Sequence, residues 1–431
     1  MSKFLEITGG TPLAGRVKVS GAKNAILPML IASLLTSEEC EYTNVPRLQD
    51  INFTIGLLEH FGADVQYFNG RITSKTPKLI ATEASYSLVK AMRASFWVLG
   101  PLLARGGAAR VAMPGGDVIG ARPVDMHLTG LMQMGADIKI KHGVVYATAE
   151  HGLKAAEINL RFPSVGATHQ LLMAAALTKG TTVLRGVARE PEVVALADFI
   201  NSMGGDVEGA GTSELIIRGK DELHGAKADT IGDRIEAGTF LLAAAITGGE
   251  VEVCGFNSKD LGDFLTILTD LGLQIETTQD TVKLLRRERP LKASLRLATG
   301  PFPEFATDLQ APLMALLTQV EGENRLEENV FEGRFGHVSE LCRMGAKIFV
   351  EDRIAKISGA TKLTGAPVEA FDIRGAACLV IAALAAHGTS QIQGAYHLER
   401  GYSDLEQKLR SLGAKVGIKV ADPDDFLFTG C

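Results

Sequence analysis

Apolar positions along this chain fall into two alternating kinds of run. One kind is apolar on every side, as in NAILPMLIASLLT from Asn24, AGTFLLAAAITGG from Ala237 and AACLVIAALAAHG from Ala376. A helix of that composition has no polar stripe to offer water, so it is expected to be buried all round. The other kind is amphipathic and ends in glycine and a short strand pattern: LEHFGADV from Leu58, LMQMGADI from Leu131, INSMGGDV from Ile200, LTDLGLQI from Leu268, LCRMGAKI from Leu341 and LRSLGAKV from Leu409. The six glycines, Gly62, Gly135, Gly204, Gly272, Gly345 and Gly413, recur at intervals of 68 to 73 residues. Each stands where a helix end calls for a left-handed residue. Turns such as Asn69-Gly70 and His142-Gly143 then lead into a further strand.

A short strand, such as TTVLRGV or GEVEVCGF, and a polar loop separate the buried run from the amphipathic one. The repeated unit is therefore helix, strand, helix, strand, strand. Its period exceeds the roughly 20 to 50 residues of the common solenoid repeats. The pattern predicts an α/β protein, a two-domain inside-out α/β barrel of six repeated units of about 70 residues, with buried helices and sheets outside. The first three-repeat domain is expected at 22–231, carrying a loop at 113–123. The second is expected to combine 1–21 with 232–431, the opening strand from Phe4 to Val19 pairing back into it.

Composition narrows the function. A chain of 431 residues suits two domains, and 46% apolar with 22% charged residues is ordinary for a globular enzyme. A net charge of -6 gives no reason to expect nucleic acid as partner. Five scattered cysteines, with no metal spacing among them, fit a reducing cytosol rather than a disulfide framework. The opening MSKFLEITGG lacks the regions of a secretory leader, and the longest apolar run, Ala376 to Ala386, is too short to span a bilayer. No membrane partner is expected.

An anionic ligand must then be met by local basic residues. The loop before each amphipathic helix supplies one: Arg47, Arg122, Arg189, Lys259, Arg334 and Arg400. The starts of the buried helices are polar: Lys23-Asn24, Lys90 and Arg93, Ser164-Val165-Gly166, Asp233-Arg234, Thr307-Asp308, and Asp372 with Arg374. Helix N-termini offer free N–H groups and partial positive charge, and nearby arginine or lysine makes an anion site of them. Facing one another across two domains, they would suit a ligand with several phosphates or carboxylates. A loop arginine alone is usually a solvated or capping residue, and Arg189 and Lys259 fit that description.

These segments resemble the UDP-N-acetylglucosamine 1-carboxyvinyltransferases of peptidoglycan synthesis. The motifs are VSGAKNAILP at Val19, VKAMRASFWVLGPLLAR at Val89, MPGGDVIGARPVDMHL at Met113 and SVGAT at Ser164. They continue with AREPEVV at Ala188, GDRIEAGTF at Gly232, TDLQ at Thr307, VFEGRFGHVSELCRMGA at Val330 and HLERGYSDLEQKLRSLGA at His397. The resemblance runs from about Phe4 to Val416 and implies the same inside-out fold. It implies a cytoplasmic transferase that adds the 3-hydroxyl of UDP-N-acetylglucosamine to phosphoenolpyruvate and releases phosphate, without metal or organic cofactor. Wall synthesis, cell shape, the cell cycle and cell division would depend on it. By position, Lys23, Arg122 and Arg400 match the phosphoenolpyruvate clamp, with Arg334 and Arg374 nearby. Asn24, Arg93, the run Arg122, Pro123, Val124, Asp125 and Met126, then Ser164, Val165, Gly166, Asp308 and Val330 match the UDP-sugar contacts. Asp308 matches the carboxylate at the sugar hydroxyl, a general base; capping the helix that follows is the alternative for an aspartate there.

Two departures stand out. Most members carry cysteine in the 113–123 loop, where this chain has Asp117. The family tolerates aspartate there, and the resemblance makes Asp117 the acid that protonates phosphoenolpyruvate and implies resistance to fosfomycin. Many relatives also have lysine two places before the serine of SVGAT, where this chain has Phe162 beside Arg161. The tail after Val416 matches no motif, and the oligomeric state is left open. Two other readings stand beside this one: a 5-enolpyruvylshikimate-3-phosphate synthase, and a non-catalytic UDP-sugar-binding paralogue.

Overall fold

The computed structural model describes residues 3–420 apart from 91, 116–118, 121, 122 and 288. Its described residues form two compact units, one of residues 21–115 and 123–231, the other of 3–20, 119–120 and 232–420. Each is built round central helices, among them the runs from Asn24, Ala237 and Ala376 that read as apolar on all sides. The first unit holds Lys23–Ala32, Leu99–Gly106 and Val165–Ala176. In the second, Arg234–Thr247, Gln310–Leu317 and Ile373–Ala385 pack pairwise against one another. Every residue from Arg234 to Ile246 and from Ile373 to Leu384 is buried. The amphipathic helices lie outside these and end as the repeat predicts. The six recurrent glycines have φ between +84° and +101°, a region that costs any other L-residue about 1–2 kcal/mol.

Among the described residues the strands form six four-stranded sheets, one per repeat. The repeat pattern predicts three strands for each. The fourth is short and comes from the end of the preceding repeat, in parallel with the next repeat's first strand. Glu83–Ala84 lies beside Ala108–Ala112, Glu157–Asn159 beside Gly180–Arg185, Arg296–Ala298 beside Gly322–Glu327, and Pro367–Glu369 beside Thr389–Gln393. Two or three residues are too few for an alternation to register in sequence.

The same pairing closes each unit. Lys227–Asp229, from the third repeat, returns to Glu39–Thr43 of the first. In the other unit the N-terminal residues do this work. They form two strands rather than one, Lys3–Thr8 and Ala14–Lys18. The first lies between Thr389–Gln393 and Lys415–Val420, with Leu5 opposite Ile392 and Ile7 opposite Val416, turning Leu5 and Ile7 into the core. The second runs parallel to Glu250–Cys254 in a different sheet. No helix among the described residues is long and apolar enough to cross a membrane.

Candidate active site

Asp308, Arg334 and Arg374 meet in the unit that holds residues 232–420. Asp308 sits on a short turn, Thr307–Leu309, leading into the buried helix Gln310–Leu317. Its carboxylate does not cap that helix. Oδ1 accepts from Arg334 Nη2 at 2.7 Å and Oδ2 from Arg374 Nη2 at 2.8 Å. Arg374 is placed by the first turn of Ile373–Ala385, where the Asp372 side chain caps the helix by accepting from the Arg374 and Gly375 amides. Arg334 precedes helix Val338–Arg343, its guanidinium 5.3 Å from the Phe331 ring. Both guanidiniums are buried and Asp308 is partly so. Burial alone would push the Asp308 carboxyl up, but the charges of Arg374 and Arg334 outweigh it and hold the group well below the usual carboxylate range. Burial likewise works against the charge of Arg374, yet Asp308 and Tyr402 together raise its pKa. The Tyr402 ring lies 5.3 Å from that guanidinium, and its hydroxyl is 3.0 Å from Thr239 Oγ1.

Other singled-out residues surround this trio. Arg400 ends the turn Ala395–Arg400, which packs on helix Ile373–Ala385, and the next residue, Gly401, lies against Ile373 and Arg374. Val330 lies on the loop that runs on to Arg334, its amide donating to Glu328 Oε1 at 2.8 Å. Ile119 and Gly120, in the 113–123 loop, group with this unit, and the Gly333 amide donates to Ile119 O at 3.2 Å. Asp117 and Arg122 lie outside the described residues.

The unit of residues 21–231 gathers a second set. Lys23 opens its buried helix, and its ammonium donates to Asp50 Oδ2 at 3.3 Å with both groups buried. Asn24 follows, partly exposed. The same helix packs against the turn Arg93–Val98. From that turn Arg93 Nη2 donates to Pro123 O at 3.0 Å, anchoring the run Pro123, Val124, Asp125 and Met126. Arg161 forms an ion pair with Asp125, which ties that run to the residues before Ser164. Ser164 caps helix Val165–Ala176, its Oγ accepting from the Ala167 amide at 3.3 Å. Behind Gly166 lie the rings of His127 and Trp97, so near that a Cβ on the glycine would stand 3.1 Å from His127. His127 Nδ1 donates to Gln170 Oε1 at 2.6 Å. Burial lowers His127 to about 4 and His169 to about 3, so both rings are neutral at pH 7 and add no positive charge.

Of the loop basic residues, Arg47, Arg189 and Lys259 are exposed, and Arg189 holds the Gly211 carbonyl at 3.2 Å, a structural contact. Asp233 caps helix Arg234–Thr247. Sequence reasoning missed Asp50 and Glu328. Each lies within two or three residues of a singled-out position, but neither belongs to a recognisable spacing. Among the described residues no cluster of three or more histidine, cysteine or acidic side chains is placed to hold a metal.

Comparison with known proteins adds to this geometry. Residues 7–409 match the EPSP synthase (3-phosphoshikimate 1-carboxyvinyltransferase) family. A UDP-N-acetylglucosamine 1-carboxyvinyltransferase of Trichlorobacter lovleyi is 49% identical over 423 residues, covering 98% of this chain and all of that one. A second, UDP-N-acetylglucosamine 1-carboxyvinyltransferase 2 of Staphylococcus saprophyticus, is 48% identical, covering 96% of this chain and 98% of the relative. Among solved structures, the enolpyruvyl transferase NikO of Streptomyces tendae superposes with a TM-score of 0.87 at 26% identity, over 98% of this chain and all of that one. An EPSP synthase of Acinetobacter baumannii superposes with a TM-score of 0.73 at 18% identity, over 97% of this chain and all of that one, a likeness of fold.

Proposed function

The chain belongs to the UDP-N-acetylglucosamine 1-carboxyvinyltransferases, transferring the enolpyruvyl group of phosphoenolpyruvate to the 3-hydroxyl of UDP-N-acetylglucosamine with release of phosphate, and we propose how its own residues carry that reaction. The observation that carries the reading is 49% identity over 98% of the chain, with the basic and acidic residues of the motifs in place.

In this reading the sugar hydroxyl adds to C2 of phosphoenolpyruvate while C3 takes a proton. Phosphate then leaves from the tetrahedral intermediate and C3 gives a proton back. Lys23, Arg122 and Arg400 serve as the phosphoenolpyruvate clamp, and Arg334 and Arg374 add to its positive charge. Fixed cations of this kind stabilise charge without reorganising as it develops. Asn24, Arg93, Pro123, Val124, Asp125, Met126, Ser164, Val165, Gly166 and Val330 hold the UDP-sugar, and the ion pair of Arg161 with Asp125 keeps part of that run in place. Asp117 gives the proton to C3, and Asp308 takes the proton of the sugar hydroxyl.

Electrostatics at Asp308 set an order on these events. A carboxylate clamped by two guanidiniums is a weak base. The carboxylate of an arriving phosphoenolpyruvate competes for the same cations, and each guanidinium that turns to it restores basicity to Asp308. The substrate thereby readies the base that its reaction needs. No metal or organic cofactor has a part in this scheme. We place the enzyme in the cytoplasm, a compartment that suits the free thiols of Cys40, Cys254, Cys342 and Cys378. There it serves peptidoglycan synthesis, and through it cell shape, the cell cycle and cell division.

Phosphate release with both substrates tests the reading. Wild-type chain should release phosphate with UDP-N-acetylglucosamine and not with shikimate 3-phosphate, and folded Lys23→Ala should be nearly inactive. Release that depends on shikimate 3-phosphate, or no release at all, would overturn the assignment.

A further inference from the structure

Glu328 is fully buried and has no part in the scheme above. Four neutral donors converge on its carboxylate. Oε1 accepts from Thr299 Oγ1 at 2.8 Å, from the Val330 amide at 2.8 Å and from the Phe331 amide at 3.0 Å. Oε2 accepts from Thr307 Oγ1 at 2.8 Å. Each threonine passes the contact on. Thr299 Oγ1 accepts from the Asn329 amide at 2.9 Å, so one side of the carboxylate binds the whole turn from Asn329 to Phe331. Thr307 Oγ1 accepts from Arg334 Nη1 at 2.8 Å, and Nη2 of the same guanidinium holds Asp308.

Proton direction makes the second line specific. A threonine hydroxyl has one proton, and a guanidinium has donors only. Thr307 can accept from Arg334 because its own proton goes to Oε2 of the Glu328 carboxylate. The carboxylate thus sets the polarity of every bond from Oε2 to Asp308.

Resting on the roles assigned above to Asp308 and Val330, we propose that Glu328 is a positioning residue with two separable branches. Oε2, through Thr307, fixes Arg334 against Asp308 for the chemical step. Oε1, with Thr299 and two backbone amides, shapes the turn that presents Val330 to the UDP-sugar.

Glu328→Gln keeps the shape and changes one acceptor into a donor. On the Oε1 side the new amide would face three donors and on the Oε2 side only one, so it turns toward Thr307. There it donates to Thr307, whose proton is driven toward Arg334, donor against donor. The expected result is a fall in kcat of roughly tenfold or more, the scale of a hydrogen bond to a charged group. The KM for UDP-N-acetylglucosamine should stay within about twofold of wild type, because the Oε1 branch is intact. Thr307→Val should lower kcat in the same way, and Thr307→Ser, which keeps the hydroxyl, should restore it. The double variant Glu328→Gln/Thr307→Val should lose no more than the worse single one. Thr299→Val should instead raise KM for UDP-N-acetylglucosamine and keep kcat.

Unchanged kcat in Glu328→Gln and Thr307→Val would overturn the proposal. So would loss of kcat and rise of KM in step with falling melting temperature in every variant, the mark of a general brace. Should Glu328→Gln fail to fold, the contrast of Thr307→Val with Thr307→Ser decides the matter with Glu328 in place. Folded Asp308→Asn separates the underlying reading. If it turns over normally, the base assignment fails; if it is inactive while Glu328→Gln and Thr307→Val are unaffected, the positioning role alone fails.

Discussion

At the scale of single residues, the types that carry charge were legible and their pairings were not. Lys23, Arg93, Asp308, Arg334 and Arg374 could each be picked out from a helix start or a loop. That Asp308 divides its two oxygens between Arg334 and Arg374 could not, since the three are brought together only by the closing of a three-helix core. Glu328 was invisible for a different reason. In the run LEENV an acid reads as one more solvated charge, and nothing local says that it is buried. The Asp308 cluster has a consequence for acid stability. Its folded pKa lies below the unfolded value of about 3.9, so the stabilisation is complete above that value and is lost as pH falls toward the folded one. Asp308→Asn leaves two buried guanidiniums without their counter-charge. It should lose about 3 kcal/mol at pH 7. Below pH 4 its stability should fall less steeply than that of wild type. Urea unfolding at pH 7 and at steps from pH 5 to pH 2 measures both, and equal acid slopes would mean that Asp308 is not charged in the folded chain. Asp117 makes a chemical prediction. A carboxylate is a poor nucleophile toward an epoxide compared with a thiol, so wild-type chain should resist inactivation by fosfomycin. Asp117→Cys should stay active and become sensitive. Rapid alkylation of the wild-type loop, seen by peptide mass, would contradict this.

At the scale of elements, the sequence speaks through backbone demands more clearly than through alternation. The cap glycines and the Asn69-Gly70 and His142-Gly143 turns announced themselves because each needs a positive φ, which each has. The short parallel strands did not, having too few residues to make a pattern. Two glycines separate the two kinds of demand. At Gly413, φ is +94° and nothing lies within 4 Å of an added Cβ, so Gly413→Ala should cost only the backbone strain, about 1–2 kcal/mol. At Gly219 no positive φ is needed, yet a Cβ would stand 1.8 Å from the Thr178 carbonyl, where the chain leaves helix Val165–Ala176 for its sheet. Gly219→Ala must therefore move backbone, and its cost should exceed that of Gly413→Ala clearly in equilibrium unfolding. The reverse order would show that the strand end at Gly219 yields easily.

At the scale of the whole molecule, the repeat period carried the architecture, because six similar units cannot each bury a central helix alone. What the period did not carry was how the ring of each unit is completed. Residues 21–231 complete theirs from within, by the return of Lys227–Asp229 to Glu39–Thr43. The other unit waits. Among the described residues its strand Lys3–Thr8 has partners only in Thr389–Gln393 and Lys415–Val420, and Ala14–Lys18 has its partner in Glu250–Cys254. During translation the two units therefore mature at different times. A nascent chain grown past residue 231 by the length of the exit tunnel holds everything the inserted unit needs. Ala14–Lys18 must stay unpaired while roughly 240 further residues are made, and Lys3–Thr8 while roughly 400 are, the longer wait lasting about 20 to 80 s at ordinary elongation rates. Unpaired strand edges invite wrong partners, so this interval is where the chain is most exposed to aggregation. Ribosome-arrested chains would reveal it. Halted shortly after residue 231 has emerged, they should yield a protease-resistant core beginning near Gly21, with residues 3–18 cut away. Resistance at residues 3–8 should appear only when Val420 has left the ribosome.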